Sequence, residues 1–400
     1  MNVLVVSHMF PNSRDPAAGC FVAEQVKEIR SRCNVTVVAP LPAVPRPVRR
    51  LKRHWDAFWN TPFHETVGNL DVYRPRYFCL PKNASLLVDG ISYRAATAST
   101  VDQIYQTFRF DILHVHGAVP DGHGVSLINR KYSLPIVLNI HGRDINKVVR
   151  MSPLHRQLVG RVLARVDTVI TVSNKLKNRI QELFPHVEAP VVIHDGIDTT
   201  IFSPHIAKES APRSNREPYL LTVGNLLIHK NHRAVISAVA RLRETYPRII
   251  LKIAGAGPEE KNLRALCQSM GVSDIVEFLG VCSRERVREL MSECDIFVMP
   301  SWDEGFGIVY IEAMSQGKPV IASQGEGIAD VITEGKTGFL VDPHDVDELT
   351  ERIRQLADDK ELAQRVGKAA QELVLREFTW QKNVDRLMEV YRELTRRTPV

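Results

Sequence analysis

Four apolar residues, Ile296-Phe297-Val298-Met299, run into Pro300-Ser301-Trp302-Asp303-Glu304-Gly305-Phe306-Gly307, and Ile308, Ile311 and Met314 continue at helical spacing. A short apolar run without alternation reads as a strand buried on both faces, the environment of a parallel sheet covered by helices. A strand therefore feeds a helix through a short Gly-containing loop, and in such sheets ligands bind beyond the carboxyl ends of the strands. The helix start offers an anion unpaired N–H groups and the positive end of a dipole. Gly305 and Gly307 let a phosphate come close to the backbone. Glu304 stands just outside the helix and Glu312 about two turns inside it, so one carboxylate faces the reacting end of a bound molecule and the other its far end. Two acids around a phosphate site suit a nucleotide-sugar. The competing reading is that Glu304 caps the helix and Glu312 is a solvated charge, since acids near a helix start are favoured in any case.

Similar runs recur along the chain, in the first half at residues 3–7, 35–39, 112–117, 136–142, 168–173 and 191–193, and in the second at 219–223, 249–254, 275–281, 319–323 and 338–341. A chain of 400 residues exceeds one ordinary core and suits two domains of about 200 residues each. Between the two sets, residues 206–217 are rich in Ser, Pro and charge and poor in hydrophobics, which places the boundary there. The expected plan is an N-terminal domain over 1–205, a linker over 206–217, a C-terminal domain over 218–377 and a closing helix over 378–400. Helical spacing runs from 349 to 377 and resumes from 378 to about 394.

Lys and Arg outnumber Asp and Glu by 52 to 46, and a pI near 9.0 favours anionic partners: nucleotides, phospholipid surfaces and nucleic acid alike. Nucleic acid is disfavoured, because no RNA- or DNA-binding motif appears. The six cysteines form no C-x-x-C pair and lie mostly in apolar surroundings, which points to reduced thiols and a cytoplasmic protein. No apolar run approaches the roughly 18 residues of a membrane span, and residues 3–6 are too short for a signal peptide. Arg46, Arg49, Arg50, Lys52 and Arg53 run into Trp55, Phe58 and Trp59. That composition suits an interfacial anchor on an anionic membrane surface, and equally a solvated loop whose rings pack on the domain.

Two glycine loops argue against a dinucleotide cofactor. The loop over residues 9–20 holds only Gly19, and Gly255-Ala256-Gly257-Pro258 lacks the third glycine of the fingerprint. Gly19 is either a ligand-facing backbone or a glycine that the loop geometry needs. His114 and His116 share a strand face but have no third ligand at a metal spacing, so no metal is expected.

Glu304 and Glu312, inside Pro-Ser-x-x-Glu-Gly-Phe-Gly, resemble the signature of the family-4 retaining glycosyltransferases of the GT-B fold. The resemblance covers nearly the full chain, strongly in the C-terminal half and loosely before Asp111. It implies two Rossmann-like α/β/α domains facing each other across a cleft, with the last helix packing back on the N-terminal domain. It also implies a sugar moved from a nucleoside-diphosphate sugar to an acceptor hydroxyl with retention, without metal or cofactor. By the same resemblance Glu304 holds the sugar hydroxyls, Glu312 the ribose, and His141 the sugar's far edge, with Arg143 and Asp144 beside it on the acceptor side. Lys230 and the backbone of Gly305, Phe306, Gly307 and Ile308 hold the diphosphate, Gly19 and Gly255 approach it, and Val281 lies under the base. The family pattern has Gly-Arg-Leu where this chain has Gly224-Asn225-Leu226, so one bidentate phosphate ligand is replaced by an amide. Gly325-Glu326-Gly327-Ile328 stands where Gly-Gly-Ile is usual, with an acid that the pattern does not explain. The implied acceptor is a glycan or a lipid-linked glycan in surface polysaccharide or glycolipid synthesis. An epimerase or sugar phosphorylase on the same fold, and a non-catalytic nucleotide-sugar-binding module, are the alternatives.

Overall fold

The computed structural model describes residues 1–12, 18–44, 58–79, 86–203 and 218–397. The chain divides into two compact units, Met1–His194 with Trp380–Val400, and Asp195–Thr379. The expected linker over 206–217 lies outside the described residues. The division falls at Asp195, so residues 195–203 group with the second unit, where the sequence reading had put them with the first. Phe202, buried to 1% exposure, is held there under the Arg284 guanidinium, 5.5 Å above its ring. Most of the basic and aromatic segment, through residue 57, also lies outside the described residues.

The first unit is built on β1 (Asn2–Val6), β2 (Asn34–Val38), β7 (Ile112–His116), β8 (Ile136–Ile140), β9 (Thr168–Thr171) and β10 (Val191–Val192), all parallel. Val3 to Val6 are wholly buried, as expected of a strand with helices on both sides. A hairpin of β4 (His64–Val67) and β5 (Leu70–Tyr73) extends the sheet past β2, giving the order β10-β9-β8-β7-β1-β2-β5-β4. Its Gly68-Asn69 turn has positive φ at both positions, the geometry that a two-residue hairpin favours. A short pair, β3 (Leu41–Ala43) and β6 (Arg76–Phe78), stands apart. Helix α1 (Cys20–Arg30) buries Val22, Gln25, Val26 and Ile29 at i, i+3, i+4 and i+7; α2 (Leu86–Thr107) follows the small sheet.

The second unit has one parallel sheet in the order β13-β12-β11-β14-β15-β16, with β11 Tyr219–Val223, β12 Ile250–Ala254, β13 Val276–Gly280, β14 Ile296–Met299, β15 Val320–Ser323 and β16 Phe339–Val341. Helices α3 (His232–Leu242), α4 (Ile308–Ser315), α5 (Val346–Asp358) and α6 (Lys360–Glu377) belong to it. The single helical run read from 349 to 377 is two helices, broken where the Asp359 carboxylate accepts the Leu362 N–H at 2.8 Å and caps the second.

Both sheets reverse strand order once, between β1 and β7 in the first unit and between β11 and β14 in the second. These are the switch points beyond which α/β sheets form their ligand crevices. The last helix, α7 (Trp380–Arg397), belongs to the first unit and buries Val384, Leu387, Met388, Tyr391 and Leu394 in the same core as Val22, Val26 and Ile29 of α1. Gln25 Nε2 donates to Asn383 Oδ1 at 2.7 Å, and the Trp380 indole N–H to Glu24. No helix among the described residues is long and apolar enough to cross a membrane.

Candidate functional site

At the second unit's switch point the loop after β11 meets the loop after β14. Asn231, at φ 57°, starts α3 and donates through Nδ2 to the carbonyls of Pro300 at 3.0 Å and Pro343 at 2.7 Å. The Trp302 N–H donates to the His229 carbonyl at 2.8 Å. With the loops so tied, the Lys230 ammonium forms an ion pair with the Glu304 carboxylate, their side chains only 17% and 14% exposed. Partial burial strengthens such a pair over one in bulk water. The two residues singled out for the diphosphate and for the sugar are thus in contact, 74 positions apart in the chain.

Gly307, at φ 94°, begins α4 with no side-chain cap, so the first-turn N–H groups are not closed off by a capping side chain. A Cβ there would lie 2.5 Å from the Tyr310 ring. Phe306 is 2% exposed, its ring stacked against Phe378, so only its backbone can face a ligand. Glu326 has a partner: its Oε2 accepts the Glu304 N–H at 2.8 Å. The two loops touch here, since a Cβ on Gly327 would lie 2.1 Å from the Gly305 carbonyl oxygen.

Around this centre the other expected residues divide. Asn225 is exposed, and its carbonyl accepts from His232 Nε2 at 3.4 Å. Gly255 has a steric reason of its own, because a Cβ would sit 1.9 Å from the Gly224 carbonyl oxygen. Val281 is 83% exposed just past β13. Glu312 lies on α4 with its carboxylate 3.3 Å from Arg284. Burial pushes the Glu312 pKa up to about 6; Arg284 pulls against it and Asp198 adds to it. Arg284 was not singled out in the sequence, because its partner is 28 residues away.

In the first unit His141 follows β8, its Nε2 3.0 Å from His116 Nδ1 and its ring stacked on that of His116. His141 Nδ1 is buried with no hydrogen-bond partner among the described residues. His114 Nδ1 shares a hydrogen bond of 2.7 Å with the Tyr391 hydroxyl. Burial holds all three imidazoles neutral, with His114 pushed down to about 4, His141 to about 3 and His116 well below its ordinary value. Asp144, expected on the acceptor side, is turned inward: its carboxylate accepts the N–H groups of Ala118 at 3.1 Å and Val119 at 3.2 Å, and it is 4% exposed. Arg143 beside it is exposed. Gly19, at φ 63°, precedes α1, and a Cβ there would lie 2.3 Å from the Met9 carbonyl oxygen; the loop geometry alone requires glycine.

Sequence reasoning did not reach His8 and Asp121, which meet at the first unit's switch point, 113 positions apart. The signal available was a histidine directly behind the first parallel strand.

Two family models match the chain, "Glycosyltransferase Family 4" over residues 18–201 and "Glycosyl transferases group 1" over 205–373. N-acetyl-alpha-D-glucosaminyl L-malate synthase from Bacillus anthracis is 30% identical over 312 residues, 76% of this chain and 80% of that protein. The putative teichuronic acid biosynthesis glycosyltransferase TuaC of Bacillus subtilis is 25% identical over 402 residues, 99% of each chain. HepE from Anabaena, solved in complex with UDP and glucose, superposes with a TM-score of 0.73 at 18% identity, over 98% of this chain and all of that one.

Proposed function

Because the chain belongs to the family-4 glycosyltransferases of the GT-B fold, we propose that it moves a sugar from a nucleoside-diphosphate sugar to an acceptor hydroxyl, with the anomeric configuration retained. The observation that carries this is the Lys230–Glu304 pair at a switch point, beside the uncapped start of α4. Lys230 and the N–H groups of Gly305–Ile308 stabilise charge building on the leaving diphosphate, the largest catalytic contribution expected here. On donor binding the ammonium turns to the phosphates, and Glu304 is released to the sugar hydroxyls. Glu312, oriented by Arg284, takes the ribose hydroxyls, and His141 offers its unpartnered Nδ1 to the sugar's far edge. Asn225, Gly19 and Gly255 border the diphosphate, and Val281 the base. HepE's complex with UDP supports a nucleoside-diphosphate donor.

The reaction needs no metal in this reading, because a cation and helix N–H groups neutralise the diphosphate. Arg143 borders the acceptor, while Asp144 shapes the turn after β7. The acceptor is a glycan or lipid-linked glycan of surface polysaccharide or glycolipid synthesis, a reading that TuaC's teichuronic acid role supports. The enzyme works in the cytoplasm, with Arg46–Trp59 attaching it to an anionic membrane face, each basic residue adding about 1 kcal/mol. Co-sedimentation checks the last point: binding to anionic vesicles should be lost when Arg49, Arg50, Lys52 and Arg53 become Ser.

The donor is tested by thermal shift with UDP, GDP and their sugars, since a ligand that binds only the folded chain raises Tm. Stabilisation by at least one nucleoside diphosphate, and its release from the matching sugar only when acceptor is present, is expected. Release without an acceptor, or no stabilisation by any, overturns the reading.

A further inference from the structure

Glu326 is the acid that the family pattern leaves unexplained, and its backbone is fixed from both sides. Gly325 before it turns at φ 69°, in the left-handed region that glycine enters freely. The Glu326 carbonyl accepts the Ala329 N–H at 3.0 Å, at the opening of a 3-10 turn over Gly327–Asp330. Gly327 after it lies against the loop that follows β14, where a Cβ would sit 2.1 Å from the Gly305 carbonyl oxygen and 2.7 Å from Phe306 Cα. The side chain is thereby delivered to that loop, and its Oε2 accepts the Glu304 N–H at 2.8 Å.

That N–H stands where the loop most needs holding. Asp303, directly before it, has φ 60°, a conformation that a residue other than glycine adopts at a cost. Beyond it, the Glu304 carboxylate is paired with the Lys230 ammonium. Burial and the charges of Glu304 and Glu326 drive the Tyr310 pKa well up, against the hydrogen bond with Ser301, so both carboxylates bear on one buried hydroxyl. We propose that Glu326 is a positioning residue of donor recognition: its carboxylate holds the Glu304 backbone so that the Glu304 side chain meets the sugar hydroxyls.

The proposal rests on the glycosyl-transfer reading and deepens it within the second unit. In that reading the Lys230 ammonium turns to the phosphates when donor binds, and the tie on the Glu304 side chain is released. The backbone tie from Glu326 remains. A charged acceptor suits the task, because its hydrogen bond is about twice as strong as that of a neutral one, and a shift of about 1 Å is enough to forfeit a well-aligned contact.

Calorimetry on the full chain decides it, with UDP and GDP as probes beside UDP-glucose, UDP-N-acetylglucosamine and GDP-mannose. Wild type should bind a diphosphate and at least one of its sugars. For that pair, Glu326→Ala should leave the affinity for the bare diphosphate unchanged and weaken the nucleotide-sugar about tenfold, the worth of one hydrogen bond to a charged group. Glu326→Gln, which keeps a neutral acceptor in place, should fall between. Added to Glu304→Gln, the Glu326→Ala change should weaken nothing further, because the residue it positions no longer carries its charge. Three results overturn the assignment and leave the transfer reading standing. They are wild-type affinity for the nucleotide-sugar in Glu326→Ala, an equal loss for the bare diphosphate, as a tie that merely shapes the phosphate site would give, and a full further loss in the Glu304→Gln background. If Glu326→Ala does not fold, Glu326→Gln decides by the same split between diphosphate and nucleotide-sugar. If wild type binds none of the nucleotide-sugars, the transfer reading itself has failed, and the proposal with it.

Discussion

At the donor site, Glu304 and Lys230 neutralise each other, and a substitution at either leaves the other without its partner. Glu304→Gln keeps shape and one acceptor but loses the charge that grips sugar hydroxyls. It should retain most UDP affinity by calorimetry and lose turnover, with kcat and kcat/KM falling together; near-normal kcat would sink the assignment. Lys230→Ala should weaken UDP binding more than Asn225→Ala, because a charge-assisted contact to phosphate is about twice as strong as a neutral one. Asn225→Arg separates two histories of the site. A gain in activity would mean the arginine's place is intact and merely unfilled, whereas no gain would mean the loops have closed around the asparagine. Glu326 bears on the same loop, since its carboxylate sits on the Glu304 N–H.

Between elements, the tie worth testing joins α7 to the centre of the first sheet. Tyr391 is fully buried and its hydroxyl shares a hydrogen bond with His114 Nδ1 on β7. Tyr391→Phe leaves that nitrogen buried without its partner, which should cost about 1–3 kcal/mol. A denaturant melt should show the loss, with kcat little changed; an unchanged midpoint would mean water or a rotated imidazole fills the gap. The central parallel strands were legible because each is buried on both faces and so reads as an unbroken apolar run, Val3–Val6 and Ile296–Met299 being the clearest. The β4–β5 hairpin was missed: His64–Val67 alternates only between exposed and half-buried, too weak a contrast for a period of two. β3 and β6 have three residues each, which shows no period at all. At the site, Lys230 and Glu304 were legible because they sit at fixed offsets within local motifs. Arg284, Glu326, His8 and Asp121 acquire meaning only from partners on other helices and loops, which spacing along the chain does not encode.

Over the whole molecule the two units respond to acid in opposite directions. In the first, His114 and His141 stay neutral down to about 4 and about 3, while the same imidazoles in the unfolded chain take up a proton near 6.5. Above that value both states are neutral and nothing is lost. As pH falls through the window from 6.5 to about 4, the unfolded chain binds protons that the folded unit cannot, so stability drains from the first unit, although His8 and Asp144, both raised in that unit, oppose the loss in part. In the second, burial raises Asp195 to about 7 and Glu312 to about 6. Their carboxyls bind protons in the folded unit before they do in the unfolded chain, so their contribution is fully present at low pH and is lost as pH rises through 6 and 7. His232, held near 4 in the same unit, opposes them in part. Mild acidification from about pH 7 to about pH 5 should therefore destabilise the first unit relative to the second. Hydrogen exchange, corrected for intrinsic rates, should show β7 and β8 opening more readily at the lower pH while β11 and β14 hold or gain protection. His114→Asn, which cannot protonate, should blunt the change in the first unit; equal loss across both sheets would show that surface carboxylates, and not these buried groups, set the acid response.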